Sequence, residues 1–206
     1  MANATKTDVT RVITPLFRVS FPHVFEPQTN DDGKEVYGVT AIFDSDADLK
    51  EMKALVKKAA EKKWPGKELK WGNERGQIRS PLRRDDTHDL EKYPEYEGKI
   101  TAGMRSYGRQ PGLVGPDKKA ILDKRDFYSG CYAIAEVTAF AYEQKGNKGV
   151  SFGLSNVMKM KDGEPLAAGV RAEVAFEKVK REDYGITDNS DEFDNSDDND
   201  DPDGEI

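Results

Sequence analysis

Of 206 residues only Cys131 is a cysteine, and only His23 and His88 are histidines. A single thiol closes no internal disulfide and builds no thiolate zinc site, so the chain is expected in a reducing, intracellular setting. There is no G-x-x-x-x-G-K-[ST] segment, no H-E-x-x-H and no paired C-x-x-C, and hence no expected enzyme, cofactor or metal. His88, flanked by Asp86 and Asp89, has no further partners and reads as a solvated loop histidine, while His23, between Pro22 and Val24, reads as structural. The glycines at 103, 108, 112 and 115 miss the spacing of a nucleotide loop. No run approaches the 18 or so apolar residues of a membrane span, and residues 1–8 are polar, so neither insertion nor export is expected.

What is present is charge. Charged residues make up 34% of the chain and hydrophobic ones 36%, with a mean hydropathy of -0.80, polar enough to imply that part of the chain lies outside a packed core. Residues 188–206 hold ten acidic side chains and no basic one, so the net charge of -7 divides into -10 for this stretch and +3 for residues 1–187. We therefore expect a folded domain over residues 1–181 and a disordered acidic C-terminal tail over 182–206.

Arg11 to Phe25 alternates, with Ile13, Phe17, Val19 and Phe21 on one face, as in a half-buried strand that Pro15 and Pro22 push toward a sheet edge. A turn at Asn30 to Gly33 leads to a second strand, Val36 to Asp44, completing a hairpin. Leu49, Met52, Leu55, Val56, Ala59 and Ala60 recur at helical spacing, with Ser45 and Asp48 as a capping box and Pro65-Gly66 as the stop. The lysines of this helix, Lys50, Lys53 and Lys57 among them, read as a solvated face. Lys67 to Asp89 shows no sustained period and reads as a long excursion carrying Arg75, Arg79, Arg83 and Arg84. Strands follow at Lys99 to Tyr107, Gly130 to Tyr142 and Gly149 to Met160, the last two joined by a turn at Gln144 to Lys148, with a final short strand at Arg171 to Val179. The fold class is mainly β: a five-stranded antiparallel barrel with one inserted amphipathic helix.

Residues 99–125 carry seven cations against Asp117 and Asp123, a local balance of +5 in an acidic chain. Alternation places Lys99, Arg105 and Tyr107 on one face, with Ile100, Ala102 and Met104 on the other. Cations track phosphates and aromatic faces stack on unpaired bases, so this face is a candidate groove for single-stranded nucleic acid. Arg109 extends it, and Arg79, Arg83 and Arg84 of the excursion are candidate clamps. Strand Gly130 to Tyr142 has Cys131, Ala133, Ala135, Ala139 and Ala141 on one side and Tyr132, Ile134, Phe140 and Tyr142 on the other. Phe140 is assigned to the core in preference to a base platform, and Tyr132 stays open between the two.

In the tail, Asp188-Asn189-Ser190 recurs as Asp194-Asn195-Ser196, followed by Asp197, Asp198, Asp200, Asp201, Asp203, Glu205 and a terminal Ile206. These carboxylates lack the frame of a calcium loop. They form an interaction arm, expected to compete with phosphates for the protein's own basic groove or to bind a partner. The alternative is an interaction scaffold or DNA-mimic inhibitor acting through the tail, which predicts no affinity for oligonucleotides.

Tyr128-Ser129-Gly130-Cys131-Tyr132, Gly146 to Leu154 and Lys161-Asp162-Gly163-Glu164-Pro165-Leu166 resemble a family of phage single-stranded DNA-binding proteins, related to the OB-fold helix-destabilising protein of short-tailed coliphages. The close match spans roughly residues 128 to 166, and the acidic tail agrees with it. The resemblance implies an OB barrel with an inserted helix that coats single-stranded DNA during phage replication, recombination and repair, without strong sequence preference and without catalysis. It also implies a homodimer in the cytoplasm of the infected bacterium, recruiting phage DNA polymerase, helicase or primase through the tail. Ile206 stands where the coliphage pattern has an aromatic residue. The motif does not itself transfer DNA contacts to Lys99, Arg105 or Tyr107.

Overall fold

The computed structural model describes residues 10–166 apart from Asp31, Leu69, Asn73, Arg75 and Lys145, together with Lys180 and Asp183. The chain divides into a compact unit of residues 1–167 and a second unit of 168–206. The expected boundary at 181/182, the strand at Arg171 to Val179, the side chain of Arg75 and the tail carboxylates lie outside the described residues.

The strands are β1 (Val12–Ile13), β2 (Phe17–Thr29), β3 (Glu35–Phe43), β4 (Ile78–Arg79), β5 (Leu82–Arg84), β6 (Ile100–Tyr107), β7 (Gly112–Val114), β8 (Tyr132–Gln144) and β9 (Asn147–Lys161), with helix α1 at Lys50–Lys63. Five of them close a ring in the order β8, β2, β3, β6, β9 and back to β8, the barrel expected of the sequence. The short strands decorate it: β1 extends the β8 edge, β5 lies on β6, and β4 and β7 lie on β9.

One feature differs from an all-antiparallel barrel. Strands β6 and β9 pair in parallel at Met104↔Phe152 and Arg105↔Gly153, because the chain crosses from β6 through residues 108–131 and all of β8 before returning. A parallel pair requires such a crossover.

The core is a single apolar cluster. Val39, Ala41 and Phe43 of β3, Ala102 and Met104 of β6, and Phe152, Leu154 and Val157 of β9 point inward at every second position where the ladder is regular. Helix α1 adds Met52, Leu55, Val56 and Ala60 on one stripe, packed against β8, β9 and β1. Its first turn is not closed by the expected box: the N-cap is Leu49 without a side-chain cap, and Asp48 Oδ1 accepts the Lys50 N–H at 3.1 Å. Trp64 ends the helix, its amide donating to the Ala60 carbonyl.

Candidate nucleic-acid interface

A groove of about 1000 Å³ runs across the outer face of β6 and its neighbours. Its floor follows from alternation: with Ala102 and Met104 turned into the core, Gly103, Arg105 and Tyr107 turn out into the groove. Gly103 leaves an open floor between Thr101 and Arg105, and Tyr107 is 48% exposed.

The wall on β2 is created by an irregularity. Between Ser20↔Thr40 and His23↔Gly38 the strand spends three residues against two on β3, which is one extra residue and hence a bulge. Phe21 sits in it with φ 46°, and the shift in phase carries its ring from the core side to the groove, 45% exposed. The sequence pattern had grouped Phe21 with Phe17 and Val19 in the core. Pro22 is the signal for the bulge: the β2–β8 pairs stop at Phe17↔Ala133 and Arg18↔Tyr132, so at the proline β2 pairs with β3 alone and its other side is a local sheet edge.

The opposite wall is the far end of the β8–β9 hairpin. Ala133, Ala135 and Val137 are fully buried, so the small side of β8 faces the narrow barrel interior and the aromatic side faces out. Phe140 is therefore not a core residue. It is 40% exposed and lines the groove with Tyr142. A Cβ at Gly149 would meet the Tyr142 hydroxyl and the Arg79 carbonyl at 2.8 Å each, so glycine there lets β4 lie against β9 and bring Arg79 to the groove.

The excursion before β6 completes the surface. Phe21 meets Tyr93 edge-on at 5.7 Å, Tyr93 stacks on Tyr96 at 5.5 Å, and Tyr96 packs against His88 at 4.7 Å. Tyr96 is buried, its hydroxyl 3.1 Å from Ser20 Oγ, and burial pushes its phenol pKa up. His88 Nε2 lies 2.7 Å from Thr101 Oγ1, so this histidine is a fixed part of the groove rather than a solvated loop residue. Desolvation lowers its pKa, the nearby Arg83 lowers it further, and Asp85 partly offsets both.

Arg79, Arg83, Arg105 and Lys34 line the groove, and among the described residues none of these four is ion-paired. Most of the basic stretch at 99–125 is instead neutralised: Lys99 pairs with Asp44 at 2.8 Å, Lys119 with Asp117, Lys124 with Glu26, and Arg125 with Asp123. Of the residues singled out in the sequence, the fold thus brings together Arg79, Arg83, Arg105 and Tyr107. Lys99, Arg84, Arg109 and Tyr132 are not on the groove lining. Phe21, Tyr93, Tyr96, Phe140 and Tyr142 join it without having been singled out.

Tyr132 belongs to a second constellation, at the other end of the hairpin. The Tyr128 hydroxyl lies 3.0 Å from Asp162 Oδ1 and 2.9 Å from the Gly163 carbonyl, and accepts the Gly163 N–H at 3.2 Å. Arg18 Nη2 donates to the Glu164 carbonyl at 2.7 Å, and the Leu166 N–H donates to the Ser129 carbonyl. Gly130 has φ 113°, and a Cβ there would fall on the Glu164 carbonyl. Lys159 pairs with Asp162 at 2.7 Å, and its hydrogen bond, with that of Tyr128, holds the Asp162 carboxyl below its ordinary range. The Lys161 ammonium lies 4.5 Å from the centre of the Tyr132 ring. This clasp ties the start of β8 to the segment after β9, and it contains two of the three parts of the family motif, Tyr128 to Tyr132 and Lys161 to Leu166, while the third, Gly146 to Leu154, lies at the groove end of the hairpin.

Residues 10–201 match the family described as the single-stranded-DNA-binding protein of Enterobacter phage Enc34. Protein p50 of Acyrthosiphon pisum secondary endosymbiont phage 1 is 33% identical over 167 residues, covering 76% of this chain and 86% of that protein. The Enc34 protein in complex with single-stranded DNA shares the fold at a TM-score of 0.62 and 21% identity, over 78% of this chain and 91% of that one. The gp2.5 single-stranded-DNA-binding protein of bacteriophage T7 shares it at 0.55 and 13% identity, over 78% and 97%. The chain therefore belongs to the Enc34 family of phage single-stranded-DNA-binding proteins, a family of binding proteins and not of enzymes.

Proposed function

We propose that single-stranded DNA lies in the groove over β6, with its phosphates on Arg79, Arg83, Arg105 and Lys34 and its bases on Phe21, Tyr107 and Phe140. The observation that carries this reading is the exposure of these three rings, each 40% or more, beside unpaired cations on a single concave face. Exposed rings are of use to unstacked bases and of little use to a duplex, whose bases are already stacked. Every base has a face to stack on an exposed ring, which fits binding without strong sequence preference. The test is a fluorescence-anisotropy titration with labelled single-stranded and duplex oligonucleotides at low and moderate salt. Preference for single strands with a steep salt dependence is expected, and equal binding of both forms defeats the reading.

The wider role follows from this one: coating and protection of DNA during phage replication, recombination and repair, in the cytoplasm of the infected bacterium. Within it the acidic tail, Asp194 to Ile206, serves as an arm that recruits polymerase, helicase or primase, as its uniform charge supports. The protein acts as a homodimer in this reading. Sedimentation at several concentrations tests the dimer, and pull-down of phage polymerase by the full chain but not by residues 1–187 tests the arm.

A further inference from the structure

A second hollow, of about 780 Å³, lies on the other side of the β4–β5 turn, between that turn and helix α1. Its floor is apolar, formed by Val56, Leu82 and Ile100, and at its edge stands Trp71, 38% exposed. Around it Lys53 and Lys57 project from successive turns of one helix face, and Lys67, Arg83 and Arg84 face them, with Glu61 the single carboxylate among the described lining residues. Ser80 and Arg83 line this hollow and the groove alike, so the two are separated only by the β4–β5 turn.

We propose that single-stranded DNA continues from the groove past Arg83 into this hollow, stacking a base on Trp71 and laying its backbone along Lys53, Lys57 and Arg84. The inference rests on the DNA reading of the first groove. Three features favour nucleic acid as the occupant: a shared arginine at the divide, five cations against one carboxylate among the described lining residues, and an exposed indole at the rim of an apolar floor. Cations with an aromatic face are the combination that a flexible strand of bases and phosphates recruits. The site also gives a place to Arg84, which the first groove leaves aside, and to the exposed lysine face of α1, two of whose members border the hollow.

The full chain has only two tryptophans, and Trp64 is buried with its Nε1 directed to Glu143 at 3.4 Å, so DNA-dependent quenching of indole fluorescence reports on Trp71. Oligo-dT of about 4 nucleotides and about 16 nucleotides, the limits of OB-fold site sizes, would be titrated against the wild type, Trp71→Phe and the double variant Lys53→Glu, Lys57→Glu. Both lengths should bind by anisotropy, but only the longer should quench, and Trp71→Phe should abolish the quenching. The double variant should lose about tenfold or more in affinity for the longer strand and about 1.4 in its log–log salt slope, at about 0.7 per phosphate contact, with the shorter strand unaffected. Binding of the longer strand with unchanged indole emission and no effect of the double variant would overturn the proposal. Quenching by a polyglutamate peptide and not by DNA would overturn it in favour of an acidic protein segment. Failure of every oligonucleotide to bind would instead remove the reading of the first groove, and this one with it.

Discussion

The clasp and the groove occupy opposite ends of the same β8–β9 hairpin and are built on opposite rules. At the clasp, Tyr128, Gly130, Asp162 and Gly163 lie within two short segments and satisfy one another through hydrogen bonds that leave little for a ligand. At the groove, Phe21, Arg79, Tyr93, Arg105 and Phe140 come from five separate parts of the chain, with both guanidinium groups free of ion pairs among the described residues and the Phe21 and Phe140 rings at least 40% exposed. Two of the three motif segments thus hold the barrel together, while the residues that face the proposed ligand are scattered, with Asn147, Val150 and Ser151 of the third motif segment among them. Segments that must fit each other's backbone tolerate few alternatives, whereas a stacking surface tolerates any ring at the right height.

The comparison breaks most sharply at Gly130. Gly130→Ala adds a Cβ that runs into the Glu164 carbonyl in a backbone conformation L-residues rarely adopt, so a loss of about 2–4 kcal/mol in stability is expected. Urea unfolding should show a lower midpoint at unchanged slope, while the molecules still folded bind oligonucleotides with unaltered affinity. A loss of affinity without a loss of stability would join the two regions that the structure separates.

The groove should behave in reverse. Tyr107→Ala and Phe140→Ala each remove an exposed ring, and each should weaken binding by about 1–3 kcal/mol with little change in the urea midpoint. A smaller but cleaner contrast lies on β6 itself. Arg105→Gln should lower the log–log salt slope by about 0.7, whereas Lys99→Gln, whose ammonium is held by Asp44, should leave it nearly unchanged. Equal slopes for the two variants would mean that parity along the strand, and not the ion pair, governs which cations reach phosphate.

Much of the barrel is readable from period-2 alternation, and α1 from its period of 3.6, because both are imposed by burial along a regular backbone. The site is legible at Arg105 and Tyr107, where the backbone stays regular, and at Arg79 and Arg83, where only the clustering of arginines marks it. Phe21 escapes because one inserted residue inverts the phase of β2, and only Pro22 hints at it. Phe140 escapes because the sides of β8 offer either small or aromatic residues to the core, and the choice depends on barrel diameter, which no single strand encodes. Tyr93, Tyr96 and His88 escape because they lie in a segment without period, held by one another's rings and by contacts to Ser20 and Thr101. The excess of cations at 99–125 overstates the site, since Asp44 and Glu26, distant in sequence, take up two of the five.

Charge at long range gives a further, milder test. Removing residues 188–206 changes the net charge from -7 to +3, so a chain of residues 1–187 should bind single strands more tightly at low salt. The advantage should fade as the Debye length falls from about 10 Å at 0.1 M to about 3 Å at 1 M salt. An advantage that persisted at high salt would require something other than charge.

The smallest expected effect concerns His88, the one titratable group of the groove whose charge changes near neutrality. Desolvation and the neighbouring Arg83 set its pKa below the ordinary 6.5, so in the free protein it is neutral at pH 7. Because the unfolded chain takes up this proton first, the contribution to stability is complete above pH 6.5 and declines as pH falls toward the lowered value. A phosphate laid beside Arg83 acts the other way, favouring the imidazolium, so DNA binding should take up a proton and tighten by about two- to threefold between about pH 7.5 and 5.5. His88→Gln should flatten this profile. His23, the other histidine, is also held low by burial but is absent from the groove lining, so His23→Gln should leave the profile intact. If His23→Gln flattens the profile instead, the strand runs over the hollow beside β3 that His23 lines, and Tyr93 and Phe140 lose their place as opposite walls of one site.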